Sequence, residues 1–93
     1  VFNISSGNVN LNSLTITGGS AANGGGVFIG SGATVTISNS TLSGNSASYT
    51  YGGSGGGIFN NGSLSISSST ISGNSAGLAG GGIYNQGSVS ISS

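Results

Sequence analysis

The chain has 93 residues and contains no Lys, Arg, Asp, Glu, His, Cys, Met, Trp or Pro; Gly, Ser, Asn and Thr fill 61 of its positions. Without a cationic side chain it offers no electrostatic footprint for phosphates, which excludes nucleic-acid binding and attraction to anionic lipid. Without Cys, His or carboxylates it cannot build a disulfide, a zinc site or a paired acid and base, so neither metal nor cofactor is expected.

Net charge near zero also removes the self-repulsion that keeps proteins apart, so self-association is expected. The longest apolar runs are three residues, such as Val27-Phe28-Ile29, far short of a spanning helix, so this segment is not expected to insert in a membrane. The chain begins with Val1 rather than Met, so any export signal is expected outside this piece. A composition so rich in Gly, Ser and Asn also suits a flexible linker, but a linker has no need of the registered repeat that follows.

Taken in chain order, the landmarks divide the sequence into four coils, at approximately 1–23, 24–54, 55–79 and 80–93. The first opens on Val1-Phe2 and continues through Val9-Asn10-Leu11 to Thr15-Ile16-Thr17-Gly18-Gly19-Ser20-Ala21. The second opens on Gly24-Gly25-Gly26-Val27-Phe28 and runs through Val35-Thr36-Ile37 to Thr41-Leu42-Ser43-Gly44-Asn45-Ser46-Ala47. The third repeats the order with Gly55-Gly56-Gly57-Ile58-Phe59, Leu64-Ser65-Ile66 and Thr70-Ile71-Ser72-Gly73-Asn74-Ser75-Ala76. The fourth holds Gly80-Gly81-Gly82-Ile83-Tyr84 and Val89-Ser90-Ile91. The steps between Val9, Val35, Leu64 and Val89 are 26, 29 and 25 residues, and the longest arises around Ser48–Ser54, which reads as a loop inserted at a corner.

Within each coil the period is two. Ser63-Leu64-Ser65-Ile66-Ser67 and Thr34-Val35-Thr36-Ile37-Ser38 alternate polar and apolar, the pattern of a strand with one buried face. Gly, Ser, Thr and Asn disfavour helix, and Gly-Asn and Asn-Gly pairs suit corners that need positive φ. The spacing predicts three short strands per coil: one after the Gly triplet, one at Val/Leu-x-Ile and one at Thr-Ile-Ser. The expected fold is therefore an all-β right-handed parallel β-helix of about four rungs, handed by the crossover rule.

Stacking predicts inward columns Val9/Val35/Leu64/Val89, Leu11/Ile37/Ile66/Ile91, Ile16/Leu42/Ile71 and Val1/Val27/Ile58/Ile83. Asn45 and Asn74 are expected to form an amide ladder that Gly19 interrupts. Phe2, Phe28, Phe59 and Tyr84 are expected to form an aromatic column, facing in or out. The first and last coils are partial and carry no bulky polar cap, so end-to-end stacking or continuation of the same solenoid is expected.

These residues resemble the right-handed parallel β-helix repeats of bacterial surface proteins, above all the passenger regions of chlamydial polymorphic membrane proteins and related autotransporter-like adhesins. The recurring Gly-Gly-Ala-Ile-type and Phe-x-x-Asn motifs of that family are similar to Gly56-Gly57-Ile58-Phe59, Leu42-Ser43-Gly44-Asn45 and Ile71-Ser72-Gly73-Asn74. The chain departs from the family in having Leu or Ile in place of Phe, and in lacking every charge. The resemblance implies display at or beyond the cell surface, with adhesion or scaffolding as the role.

Catalysis of the kind that polysaccharide lyases and hydrolases perform on this fold needs carboxylates, a base or a bound cation, and only Tyr49, Tyr51 and Tyr84 are available as acid or base. The chain is therefore read as a non-enzymatic structural segment of an extracellular protein, either a stalk or a fibre subunit. Two alternatives remain open. Thr15, Thr41 and Thr70, with Thr17, Ser43 and Ser72, are expected as outward hydroxyl columns, which are similar to the Thr-x-Thr faces of ice-binding solenoids. Tyr49 and Tyr51 on the 48–54 loop are placed to contact a glycan or a surface receptor. Asn3-Ile4-Ser5, Asn39-Ser40-Thr41 and Asn61-Gly62-Ser63 match the glycosylation sequon, a coincidence expected at this content of Asn and Ser.

Overall fold

A computed structural model describes residues 1–48 and 53–92. The described residues contain strands and turns and no helix, and every strand pair is parallel. The first coil holds β1 (Phe2–Asn12), β2 (Thr15–Thr17) and β3 (Ser20–Ala21). The second holds β4 (Val27–Ser38), β5 (Thr41–Ser43) and β6 (Ser46–Ala47). The third holds β7 (Ile58–Asn60), β8 (Ser63–Ser67), β9 (Thr70–Ser72) and β10 (Ser75–Ala76), and the fourth β11 (Ile83–Asn85) and β12 (Ser88–Ser92).

These strands make three faces of a β-solenoid. The first sheet joins β1 to β4, β4 to both β7 and β8, and these to β11 and β12. The second stacks β2, β5 and β9, and the third β3, β6 and β10. The chain thus completes about three turns, with the fourth coil present on the first face alone. The two segments read from the sequence as separate strands share this one face, merged in β1 and β4 and split by Asn61-Gly62 and Gln86-Gly87 in the later coils. The third face is a Ser-Ala pair too short for its alternation to stand out.

The core follows from period two. Val9, Val35, Leu64 and Val89 are in register, as are Leu11, Ile37, Ile66 and Ile91, and Ile16, Leu42 and Ile71. Val27, Val35, Ile37, Leu42 and Ile58 are wholly buried. Each such side chain stabilises the fold by roughly 1.5–3 kcal/mol.

The first coil departs from the expected register. Phe2, not Val1, lies beside Val27, and Asn3, not Phe2, lies beside Phe28. Ile4 is the cause: it is buried beside Ile29, and alternation then turns Phe2 inward with it. Phe2 packs against the core, and Val1 is exposed. The fourth inward column is therefore Phe2/Val27/Ile58/Ile83.

Three corners close each turn. At one, Ser13, Asn39 and Ser68 take φ of 59°, 49° and 48°, a conformation that small polar residues enter most readily. The Ser40 hydroxyl accepts from the Leu14 N–H at 3.1 Å and donates to the Ser38 carbonyl at 2.8 Å, and Ser69 repeats both contacts one coil on. At the second corner Gly18, Gly44 and Gly73 have positive φ. At the third the Gly triplets stack, with Gly24 donating to Ser54, Gly25 to Gly55, Gly55 to Ala79 and Gly56 to Gly80 at 3.0–3.1 Å. Ser54 pairs between Asn23 and Ala79 as a single bridging residue.

Glycine at position 56 is a requirement of close approach. A methyl there would overlap the carbonyl oxygens of Ser75 and Gly81, whereas one on Gly81 meets nothing nearer than the Asn74 oxygen at 3.3 Å. Gly56→Ala is expected to cost about 3 kcal/mol or more, and Gly81→Ala less than about 1 kcal/mol. Urea denaturation of the two variants beside the parent chain measures the difference.

Candidate functional site

Columns of polar or aromatic side chains run up the solenoid, and each arises from a position that repeats once per coil. Asn45 follows the positive-φ Gly44, which turns its side chain inward. Its Oδ1 accepts from the Gly19 N–H at 2.9 Å, and its Nδ2 donates to the Ile16 carbonyl at 3.0 Å. One coil later the Asn74 Oδ1 accepts from both the backbone N–H and the Nδ2 of Asn45 at 3.0 Å. The Asn74 Nδ2 in turn donates to the Leu42 carbonyl at 3.0 Å. The ladder ends at Gly19, where a side chain would run into the Gly25 backbone and the Asn45 amide.

A second amide ladder has no counterpart in the sequence reading. Asn60, fully buried, occupies the register position of Ile29, and Asn85 lies beside it on the next coil. The Asn60 Nδ2 donates to the Asn85 Oδ1 at 2.8 Å and to the Ser88 carbonyl at 3.0 Å, while its Oδ1 accepts from the Gly62 N–H at 3.0 Å. Asn85 repeats that turn contact with the Gly87 N–H at 3.1 Å. The signal was present in the two Asn-x-Gly spacings, which sit at the same offset after a Gly triplet. No buried side-chain nitrogen or oxygen among the described residues lacks a partner.

The aromatic column has three members. Phe28 and Phe59 stack with centroids 5.2 Å apart and planes 5° from parallel; Phe59 and Tyr84 stack at 5.2 Å and 24°. The neighbouring Val27 and Ile58 point into the core, so the rings lie on the outer face of the first sheet. Phe28 and Tyr84 are half-buried, while Phe59, stacked on both sides, is buried. Gln86 donates to the Tyr84 hydroxyl at 3.2 Å. Above Phe28, beside Asn3 and Asn23, lies an open recess of about 320 Å³.

Thr15, Thr41 and Thr70 are in register on the second sheet, as are Thr17, Ser43 and Ser72. Ile16, Leu42 and Ile71 alternate with them, the first two buried, which leaves the hydroxyls facing outward. The first sheet carries its own columns, Thr34/Ser63/Ser88 and Thr36/Ser65/Ser90, so hydroxyl chemistry is spread over two faces. Tyr49 and Tyr51 lie outside the described residues.

At the last coil β9, β10, β11 and β12 are each paired on one side, and Leu78 and Ile91 are 72% and 65% exposed. Such edges bind by backbone hydrogen bonds and apolar contact. Comparison with models of protein families, with curated proteins and with solved structures finds no match.

Replacing Asn45 by Ala strands the Gly19 N–H, the Ile16 carbonyl and the Asn74 amide together. At about 1–3 kcal/mol for each unsatisfied buried group, with partial relaxation, Asn45→Ala is expected to destabilise by about 3 kcal/mol. Asn74→Ala, at a half-buried position, is expected to cost about half as much. Thermal and urea unfolding of both variants give the comparison.

Proposed function

We propose that this chain is a non-catalytic structural segment of an extracellular surface protein, a rigid solenoid that works as an adhesin stalk or as a fibre subunit. The observation that carries the reading is the parallel register of all three faces, kept from coil to coil. Nearly every side chain of a coil is used in a column with its counterparts, leaving little outside the ladder to perform other work. The composition contributes the rest: no carboxylate, imidazole, thiol or amine side chain is available for acid–base or covalent chemistry.

The assignment to the bacterial cell surface draws on the resemblance to the polymorphic membrane protein and autotransporter repeats. One feature favours it: the glycines of Gly-Gly-Ile-Phe and Ile-Ser-Gly-Asn sit at structural corners, as a repeat motif should. Self-association by stacking, or continuation in a longer solenoid, is the partnership this reading requires.

Electron microscopy of the purified chain tests it. Filaments or rods one solenoid wide, with roughly 15–20 Å of rise per chain, are the expected outcome, and compact isolated particles at high concentration would count against it. Because only tyrosines carry an ionisable side chain, the assembly should be unchanged from pH about 5 to 7 and from about 0.05 to 0.5 M salt. Dissociation by salt in static light scattering would contradict an uncharged interface.

A further inference from the structure

One corner of the first sheet obliges the chain to carry a chemically weak link. Asn60-Asn61-Gly62 leads from β7 into β8, and a methyl on Gly62 would overlap the carbonyl oxygens of Ala33 and Gly30 on the coil before. Glycine is therefore fixed at 62, and Asn61 stands directly before it. An Asn followed by Gly is the pair most prone to spontaneous deamidation, because no side chain hinders the approach of the following nitrogen. In the fourth coil the place of Asn61 is taken by Gln86, whose longer side chain must close a larger, slower ring. In the second coil it is taken by Gly30, which has no amide side chain.

We propose that Asn61 is a latent deamidation site and that the Asn60 amide holds it closed. In the reaction the Gly62 N–H loses its proton to hydroxide, and the freed nitrogen attacks the Asn61 Cγ. An N–Cγ bond forms, the Cγ–Nδ2 bond breaks, and ammonia leaves with a proton from water, giving a five-membered succinimide. Water then opens either ring carbonyl, which yields aspartate or its β-linked isomer. Nothing is oxidised or reduced.

In the folded chain the attacking nitrogen is engaged. The Gly62 N–H donates to the Asn60 Oδ1 at 3.0 Å, so its proton is held and the nitrogen is kept off the Asn61 side chain. The Asn60 oxygen cannot swing aside, since its Nδ2 is fixed by the Asn85 Oδ1 at 2.8 Å and the Ser88 carbonyl at 3.0 Å. The Asn61 N–H donates to the Ile29 carbonyl at 2.8 Å and the Ser88 N–H to the Gly62 carbonyl at 2.9 Å, which clamps the backbone on both sides. Because Asn60 is fully buried, releasing Gly62 means opening the corner. The other Asn-Gly pair, Asn23-Gly24, is closed without Asn60: the Gly24 N–H donates to the Ser54 carbonyl at 3.1 Å, and the Ser54 N–H to the Asn23 Oδ1 at 3.1 Å. Either product at position 61 would bring a carboxylate side chain into a chain that has none. The β-linked one would also add a backbone atom at a corner kept in register with its neighbours.

The test holds the chain in mildly alkaline buffer, with and without urea, and reads deamidation at each Asn by mass spectrometry. Chymotryptic cleavage after Phe59 parts Asn61 from Asn23. Asn61 is expected to react in urea and to react at least about tenfold more slowly when folded. Asn60→Ile gives the third coil the residue type that the second has at Ile29. Without urea it should speed the reaction at Asn61 about tenfold, the factor set by one lost hydrogen bond, and leave Asn23 unchanged. Asn85→Ala removes a partner of Asn60 but keeps the Gly62 contact, so its effect on Asn61 should be much smaller. Equal rates at Asn61 with and without urea would overturn the proposal, whether or not the variants fold. So would an acceleration in Asn60→Ile that Asn23 shares, which marks general loosening, or one that Asn85→Ala matches.

Discussion

Each residue of a coil sits over its counterpart about 4.8 Å away, so every side chain must tolerate its own image. Two like charges at that distance repel by roughly 1 kcal/mol in water and about 3.5 kcal/mol at an effective dielectric of 20. Repeated up a column, this repulsion makes an identical charged coil self-defeating. Residues that are their own partners have no such difficulty. The Asn amide donates and accepts at once, which lets Asn45 meet Asn74 and Asn60 meet Asn85. Phenyl rings stack offset, and aliphatic side chains fill one another's gaps. A sequence of Gly, Ser, Asn, Thr, aliphatics and a few aromatics is what remains once this constraint is applied.

The aliphatic columns were legible in the sequence because two periods agree there, the alternation within a strand and the spacing of about 25 residues between coils. Where one of the periods weakens, so does the reading. The first coil has no Gly triplet to anchor its register, and Val1-Phe2 aligns with Val27-Phe28 by residue type alone. The structure instead aligns it by burial, since keeping Ile4 beside Ile29 in the core moves Phe2 into the Val27 column. The Ser-Ala strands escaped for a different reason: two residues with small side chains show no alternation, and only neighbouring coils make them a sheet.

The buried Asn60 shows how the solenoid changes one coil for the next without losing register. In β4 the inward position is Ile29 and the strand bends on through Gly30-Ser31-Gly32. In the third coil the same position is Asn60, and its side-chain oxygen closes a tight turn onto Gly62 that uses fewer residues. An apolar contact is exchanged for hydrogen bonds in a coil that must be shorter. Removal of such an amide leaves buried donors and acceptors unpaired, so it is more costly than its own net contribution. Polar residues at inward positions of this fold are therefore parts of its corners, and their legibility depends on the turn that follows them rather than on hydropathy.

What bounds the structure is also a matter of self-compatibility. Natural sheets blunt their edges with Lys, Pro, inward charges or covering segments, and the sequence contains neither Lys nor Pro nor any charged residue. The terminal coils are built from the same columns as the central one: Ile71 continues Leu42, Asn74 continues Asn45, and Ile91 continues Ile66. Within one column burial falls from Ile37 at 0% exposure through Ile66 to Ile91 at 65%. The chemistry that closes the interior is thus the chemistry presented at the edge.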